Sequence, residues 1–251
     1  MLKIENFVTP SPEQWMFVID GMRNPKNSWD RMDSYTTHIG DNETLETAEY
    51  AFFLGENDEK LAMTLAKGGP VHAKYRRQLP VHVKVTAPLY WWKEFETYRT
   101  GVCPNPTDIE MNACSTMHKV HAKEFTLEDF STEHLHEVPL ETLGRTINEL
   151  NYYRDLYVDG GMDTRQDDPD NERYCKIVEK HDKDIWWQLI QLLPSSYNQT
   201  RSLSMNYEVL ANMYEWRRHH RLDEWHTFCH WIEELPYSTL IVGDLSDVSE
   251  G

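Results

Sequence analysis

Three residues in the C-terminal third carry side chains suited to holding a flat polar ligand. Asn206, Asn212 and Arg217 lie in the stretch Asn206-Tyr207-Glu208-Val209-Leu210-Ala211-Asn212-Met213-Tyr214-Glu215-Trp216-Arg217, which reads as helix. Each amide offers a donor and an acceptor, and the guanidinium offers a planar fork of donors. That is equipment for a nucleobase, a flavin ring or a carboxylate. At about 100° per residue, Asn206 and Arg217 fall close to one line with Leu210 and Met213, while Asn212 points roughly 120° away. Such a helix could meet a base on one side and a flavin or a second subunit on the other. The plainer reading of the same spacing is a surface helix whose Asn212 caps or crosslinks its neighbours.

The elements that must position these residues can be read along the chain. Leu2–Val8 is a short strand. Ser11-Pro12-Glu13-Gln14 starts a helix, with Ser11 as N-cap, Pro12 in the first turn and Gln14 closing a capping box. Asn42 to Leu54 reads as a helix ending near Gly55, and Asn57 to Lys67 as another, stopped by Gly68-Gly69-Pro70. Val81, Val83 and Val85 alternate with His82 and Lys84 as a half-buried strand, after which Pro88 opens an aromatic helix. Leu140, Leu143, Ile147, Leu150, Tyr153 and Tyr157 recur at helical spacing. A helix over Tyr174–Leu193 follows and halts at Pro194. Leu222, Trp225, Cys229 and Ile232 form the buried stripe of the last helix. The acidic stretch 159–172 reads as a mobile loop and 244–251 as a disordered tail. The sum is an α+β fold, mostly helical, a single domain over 1–243 with a small antiparallel sheet.

Composition narrows the function. With 25 Lys+Arg against 42 Asp+Glu the net charge is −17, the wrong sign for a sequence-independent grip on DNA or RNA. A small nucleotide in a local basic pocket is compatible with that charge. Nine Trp, thirteen Tyr and eight Phe supply core and stacking surface for a planar ligand. The four cysteines form no C-x-x-C pair, and the N-terminus lacks the apolar stretch of a signal peptide. No apolar run reaches membrane-spanning length, so a cytoplasmic protein with no membrane association is expected. Cys114-x3-His118-x2-His121, with Cys103 nearby, offers zinc-type ligands at a spacing that matches no common zinc site, and His226 and His230 lack the glutamate of an HExxH pattern. No metal is expected.

A second segment sharpens the reading. In Ala87-Pro88-Leu89-Tyr90-Trp91-Trp92-Lys93-Glu94-Phe95-Glu96-Thr97-Tyr98-Arg99 a strand runs into a proline-initiated aromatic helix that ends in Thr-Tyr-Arg. Together with Asn112-Ala113-Cys114-Ser115, and with Leu193-Pro194 followed by Asn206, Asn212 and Arg217, it resembles the flavin-dependent thymidylate synthases, the ThyX family. That family has Ala-Pro, an aromatic-apolar helix ending in Arg-His-Arg, then Asn-x-x-Ser-x-Arg, and later Leu-Pro followed by Asn-x5-Asn-x4-Arg. Gly69-Pro70-Val71-His72 is a weaker echo of its Ser-Pro-Phe-Glu-His. The resemblance spans roughly residues 57–235, with many unlike positions between the anchors.

The resemblance implies roles residue by residue. Arg217 would bind and polarise the uracil of dUMP, as the catalytic residue. Asn206, Asn212, Arg99 and Tyr98 would meet FAD, with Arg99 on its phosphates. Glu94, Ser115 and Lys119 would join Arg217 around dUMP, Glu94 standing where the family has a glutamine and Lys119 substituting for a missing arginine. NADPH would reduce FAD, methylenetetrahydrofolate would supply the carbon, and the protein would be a homotetramer. Several family cations are absent: Arg-His-Arg is Thr97-Tyr98-Arg99, the arginine of Asn-x-x-Ser-x-Arg is Met117, and the arginine four residues before the Leu-Pro proline is Ile190. Each lost arginine–phosphate contact costs on the order of 1.5–3 kcal/mol, unless Arg76, Arg77, Lys119, Arg201 or Arg218 compensates. Two readings follow. One is a divergent dUMP-methylating enzyme; the other is a non-catalytic protein that binds or sequesters a nucleotide on the same fold.

Overall fold

The computed structural model describes residues 2–39, 49–101, 109–158 and 182–243. In chain order the elements are β1 (Lys3–Val8), α1 (Pro12–Arg23), β2 (Tyr35–Ile39), β3 (Glu49–Phe53), α2 (Glu56–Lys67), β4 (Pro80–Pro88), α3 (Leu89–Gly101), β5 (Glu110–Ala113), α4 (Glu137–Val158), α5 (Asp182–Leu192), β6 (Asn198–Asn206), α6 (Tyr207–Arg217), α7 (Asp223–Glu233) and α8 (Thr239–Val242). This is the expected α+β composition, with helices dominating a small amount of antiparallel sheet. The stretches 159–172 and 244–251, Cys103, residues 42–48 of the helix expected over Asn42–Leu54 and residues 174–181 of that expected over Tyr174–Leu193 lie outside the described residues.

The chain divides into two compact units: Leu2–Val85, Glu94–Asn112 and Arg201–Gly251 form the larger, Thr86–Lys93 and Ala113–Thr200 the smaller. The strand order of the main sheet is β1-β4-β6-β5. In β4 the expected alternation holds: Val81, Val83 and Val85 are buried and His82 and Lys84 exposed. The central β6 escaped the sequence reading, because Thr200, Arg201, Ser202 and Ser204 hide its apolar alternation; only Leu203 and Met205 mark the buried face.

The larger unit is organised around α1. Its capping box forms as expected: the Gln14 backbone N–H donates to Ser11 Oγ at 3.3 Å and the Ser11 N–H donates to Gln14 Oε1 at 2.8 Å. The buried face of α1 presents Trp15, whose ring stacks on Phe52 at 5.5 Å and meets Tyr207 and Tyr237 edge-on. Phe52 belongs to β3, so the helix expected over Asn42–Leu54 is corrected at its C-terminal end: Glu49–Phe53 pairs antiparallel with β2, Tyr35 opposite Phe53 and Ile39 opposite Glu49. Tyr50, Phe52 and Phe53 favour the pleated surface, and the Tyr35–Phe53 stack at 5.2 Å supplies cross-strand packing that an isolated helix here would lack.

The start of α2 is locked by a buried polar network. Asp33 accepts from the backbone N–H groups of Asn57 and Asp58 at 2.9 and 3.1 Å, countering the unpaired donors of the helix N-terminus. Asp58, fully buried, accepts from Ser34 Oγ at 2.6 Å, from the Ser34 N–H at 2.8 Å and from Arg23 Nε at 2.5 Å. Gly55 is required by this close approach, since a Cβ there would stand 2.5 Å from the Asp33 carbonyl carbon.

The smaller unit packs α4 against α5 over a core of Phe125, Phe130, Leu143, Ile147, Leu150 and Leu189. Asn151 of α4 clamps the Phe125 backbone with both ends of its amide, each at 2.8 Å. Trp91 and Trp92, at 0% and 1% exposure, are core here, and Trp92 Nε1 donates to the Gln199 carbonyl at 2.9 Å.

Candidate functional site

Asn206 is not part of the helix that the sequence pattern assigns it to. It ends β6 in extended conformation and caps α6, its Oδ1 accepting from the Val209 N–H at 3.0 Å. The side chain is buried and its acceptor committed, so only the amide N–H2 could serve a ligand. Beyond the cap, the expected line along the helix is realised: Leu210 and Met213 are fully buried, and Arg217 continues their line to the helix end with its side chain 18% exposed.

Arg217 is held on three sides. Its Nη2 donates to Glu94 Oε2 at 3.2 Å, and its Cζ lies 5.1 Å from the ring centroids of both Tyr98 and Trp225. Its Nε is buried with no hydrogen-bond partner. The two rings are themselves in contact, 5.9 Å apart and tilted by 59°, and form a corner against which the guanidinium lies. Trp225 is itself fixed by Phe95, stacked at 6.3 Å and 8°, and by Phe228, edge-on at 5.8 Å. Burial raises the Tyr98 phenol against the pull of Arg217, so it stays a neutral donor. Burial and the Arg217 charge together lower His220, whose Nδ1 accepts from the Leu222 N–H at 3.1 Å. Chemically, the arrangement is a partly buried cation with one carboxylate beside it, able to donate to carbonyl oxygens of a planar ring.

The structure brings together Glu94, Tyr98 and Arg217 of the residues singled out from sequence. Arg99 is in the last turn of α3, and its side chain lies outside the described residues. Asn212 lies on another side of α6 and lines a cavity of about 390 Å³ that Gly69, Pro70, Arg76 and Arg218 also line. Ser115 and Lys119 belong to the smaller unit. There Ser115 Oγ accepts from the Met117 and His118 N–H groups at 3.3 and 2.9 Å, closing a turn, and Lys119 is exposed. Arg201, a candidate replacement cation, pairs with Glu96. Trp225, which the sequence pattern marks only as core, also lies against Arg217. Its place in the buried stripe of α7 was legible, but nothing in that stripe tells which of its aromatics covers Arg217.

The two described cysteines, Cys114 and Cys229, are free thiols. Burial pushes the Cys229 thiol up to about 12, with Glu233 adding to it, and Cys114 is exposed in the smaller unit. Among the described residues no three His, Cys, Asp or Glu side chains gather as a metal site requires, and no helix is long and apolar enough to cross a membrane.

No protein-family model and no curated protein matches the chain by sequence. Solved structures match by shape. Two structures of the flavin-dependent thymidylate synthase ThyX from Helicobacter pylori, complexed with FAD and dUMP, are each 13% identical; 96% of this chain and 97% of theirs are covered at a TM-score of 0.52. A UMP/dUMP methylase, PolB from Streptomyces cacaoi, bound with 5-Br dUMP, is 13% identical with 95% and 93% covered at a TM-score of 0.56. The order of elements that positions Glu94, Tyr98 and Arg217 is thus shared over nearly whole chains, and by its architecture this chain is a divergent example of the ThyX-like fold.

Proposed function

We propose that this chain binds a uridine-type nucleotide through Arg217 and uses FAD to methylate it, with NADPH and methylenetetrahydrofolate as co-substrates. The observation that carries the reading is the packed guanidinium: Arg217 lies against the adjoining rings of Tyr98 and Trp225, beside Glu94, and is placed to donate to a base carbonyl. The fold neighbours, complexed with FAD and dUMP or with 5-Br dUMP, support it. The two rings shield part of the Arg217 charge from water, which strengthens the hydrogen bonds it donates to uracil and favours electron density on the ring oxygens. Asn212 and the cavity beside it fit the polar part of a flavin dinucleotide, since guanidinium Nε donors buried there lack acceptors. Bound FAD would supply the redox chemistry, so no side-chain nucleophile is called for, in keeping with a protonated, buried Cys229. A homo-oligomer in the cytoplasm, tetrameric by resemblance, completes the proposal.

One observation favours a second reading. Glu94 compensates the Arg217 charge, and with the family cations missing around Thr97 and Tyr98 the chain can capture a nucleotide without turning it over. Absorbance separates the two: a yellow protein bleached by NADPH that converts dUMP to dTMP supports catalysis. A colourless protein that binds dUMP supports capture.

A further inference from the structure

In the larger unit three cations, Lys67, Arg76 and Arg218, line the Asn212 cavity against two carboxylates, Glu208 and Glu215, in a chain of net charge −17. One face of α6, at i, i+3, i+4 and i+7 spacing, turns Glu208, Ala211, Asn212 and Glu215 toward it, with Arg218 at the helix C-cap. Arg76 and Lys67 face it from the other wall. Both arginines keep a buried Nε without a hydrogen-bond partner. Arg76 Nη1 is 3.9 Å from Glu208 Oε2, beyond hydrogen-bond reach, and its Nε is buried without a partner although the side chain is only 12% exposed. Arg218 has no ion-pair partner among the described residues; its Nε is also buried and unpartnered, and its guanidinium lies 5.8 Å from the Tyr214 ring centroid. A buried charged donor left without an acceptor is costly, so paired guanidinium groups of this kind ask for a ligand with several acceptor oxygens. Phosphoryl oxygens match the planar fork of arginine better than any neutral acceptor.

We infer that Arg76 and Arg218 hold the phosphoryl group of a nucleotide ligand in this cavity, with Asn212 giving a directional contact beside it. The pair then does the work of the cations missing at Thr97 and Tyr98, on different elements. The inference rests on the reading of the chain as a nucleotide binder, and the test keeps the two apart.

Calorimetry with dUMP and FAD, and thermal shift with inorganic pyrophosphate, are run on the full chain and on Arg76→Gln, Arg218→Gln and Arg217→Gln. Pyrophosphate raises the melting temperature of the wild type and not that of Arg76→Gln or Arg218→Gln. Each of these two variants weakens dUMP or FAD by about tenfold. Loss confined to FAD assigns the phosphoryl group to the flavin dinucleotide, and loss confined to dUMP assigns it to the substrate. Should Arg76→Gln fail to fold, Arg218→Gln, at the helix end, carries the test alone. Variants that bind dUMP and FAD as the wild type does, while Arg217→Gln loses dUMP, overturn the inference and leave the proposed function standing. A pyrophosphate shift without binding of either nucleotide leaves the anion site and removes the function. No pyrophosphate shift in the wild type overturns the anion site directly.

Discussion

Arg217 lies against two adjoining rings with a carboxylate beside it, and each contact restricts what it can hold. Ring faces favour a delocalised, weakly hydrated cation, which a guanidinium is and an ammonium is not. Arg217→Lys therefore keeps the charge and loses both the stacking and the fork. It is expected to weaken dUMP binding by about 1.5–3 kcal/mol in calorimetry, with little change in melting temperature. Glu94 explains why such a cation tolerates a half-buried place in a ligand's absence. The residue types of this site were legible in sequence, since Glu94, Tyr98 and Arg217 all lie in the two anchor segments. Their mutual geometry was not, because the second ring comes from Trp225, on a helix whose aromatic residues look alike from spacing alone.

At the scale of elements, α6 is set by its first residue. Asn206 turns the end of β6 into the start of the helix, and an N-cap amide has a structural task before any binding task. Asn206→Ser keeps a capping oxygen and removes the amide N–H2, whereas Asn206→Ala removes both. The alanine variant is expected to lose about 0.5–2 kcal/mol of stability by denaturant unfolding, and the serine variant to stay close to the wild type. If Asn206→Ser also binds FAD like the wild type, the flavin role that resemblance implies for Asn206 is gone. The helices were legible where a cap or a periodic stripe marked them, as in α1, α4 and α7. The sheet was less so. Glu49–Phe53 carries no glycine, proline or alternation to mark it as a strand, and the partner that makes it one, Tyr35–Ile39, is supplied by tertiary pairing.

Across the whole molecule, the Arg23–Asp58 pair ties α1 to α2 within the larger unit and gives stability a signature in pH. Burial acts to raise the Asp58 carboxyl, but hydrogen bonds from Ser34, Arg23 and the Asp33 backbone outweigh it and hold the group below its ordinary value. A carboxyl depressed on folding contributes stability that is present above its unfolded value, about 3.9, and lost as pH falls through the folded one. The melting temperature should therefore drop on the acid side, more steeply in the wild type than in Asp58→Asn. The variant itself should be destabilised by about 3–5 kcal/mol at neutral pH, because Arg23 remains buried and unpaired. Equal acid profiles for the two proteins would show that Asp58 does not set this limit.

Whether Arg217 holds a uridine-type nucleotide in this fold is decided by calorimetric titration of dUMP into the wild type and Arg217→Ala at neutral pH. Saturable binding to the wild type and its loss in the variant are expected, with the variant still folded by circular dichroism. Equal binding by the two proteins, or none by a folded wild type with FAD present, would contradict that role.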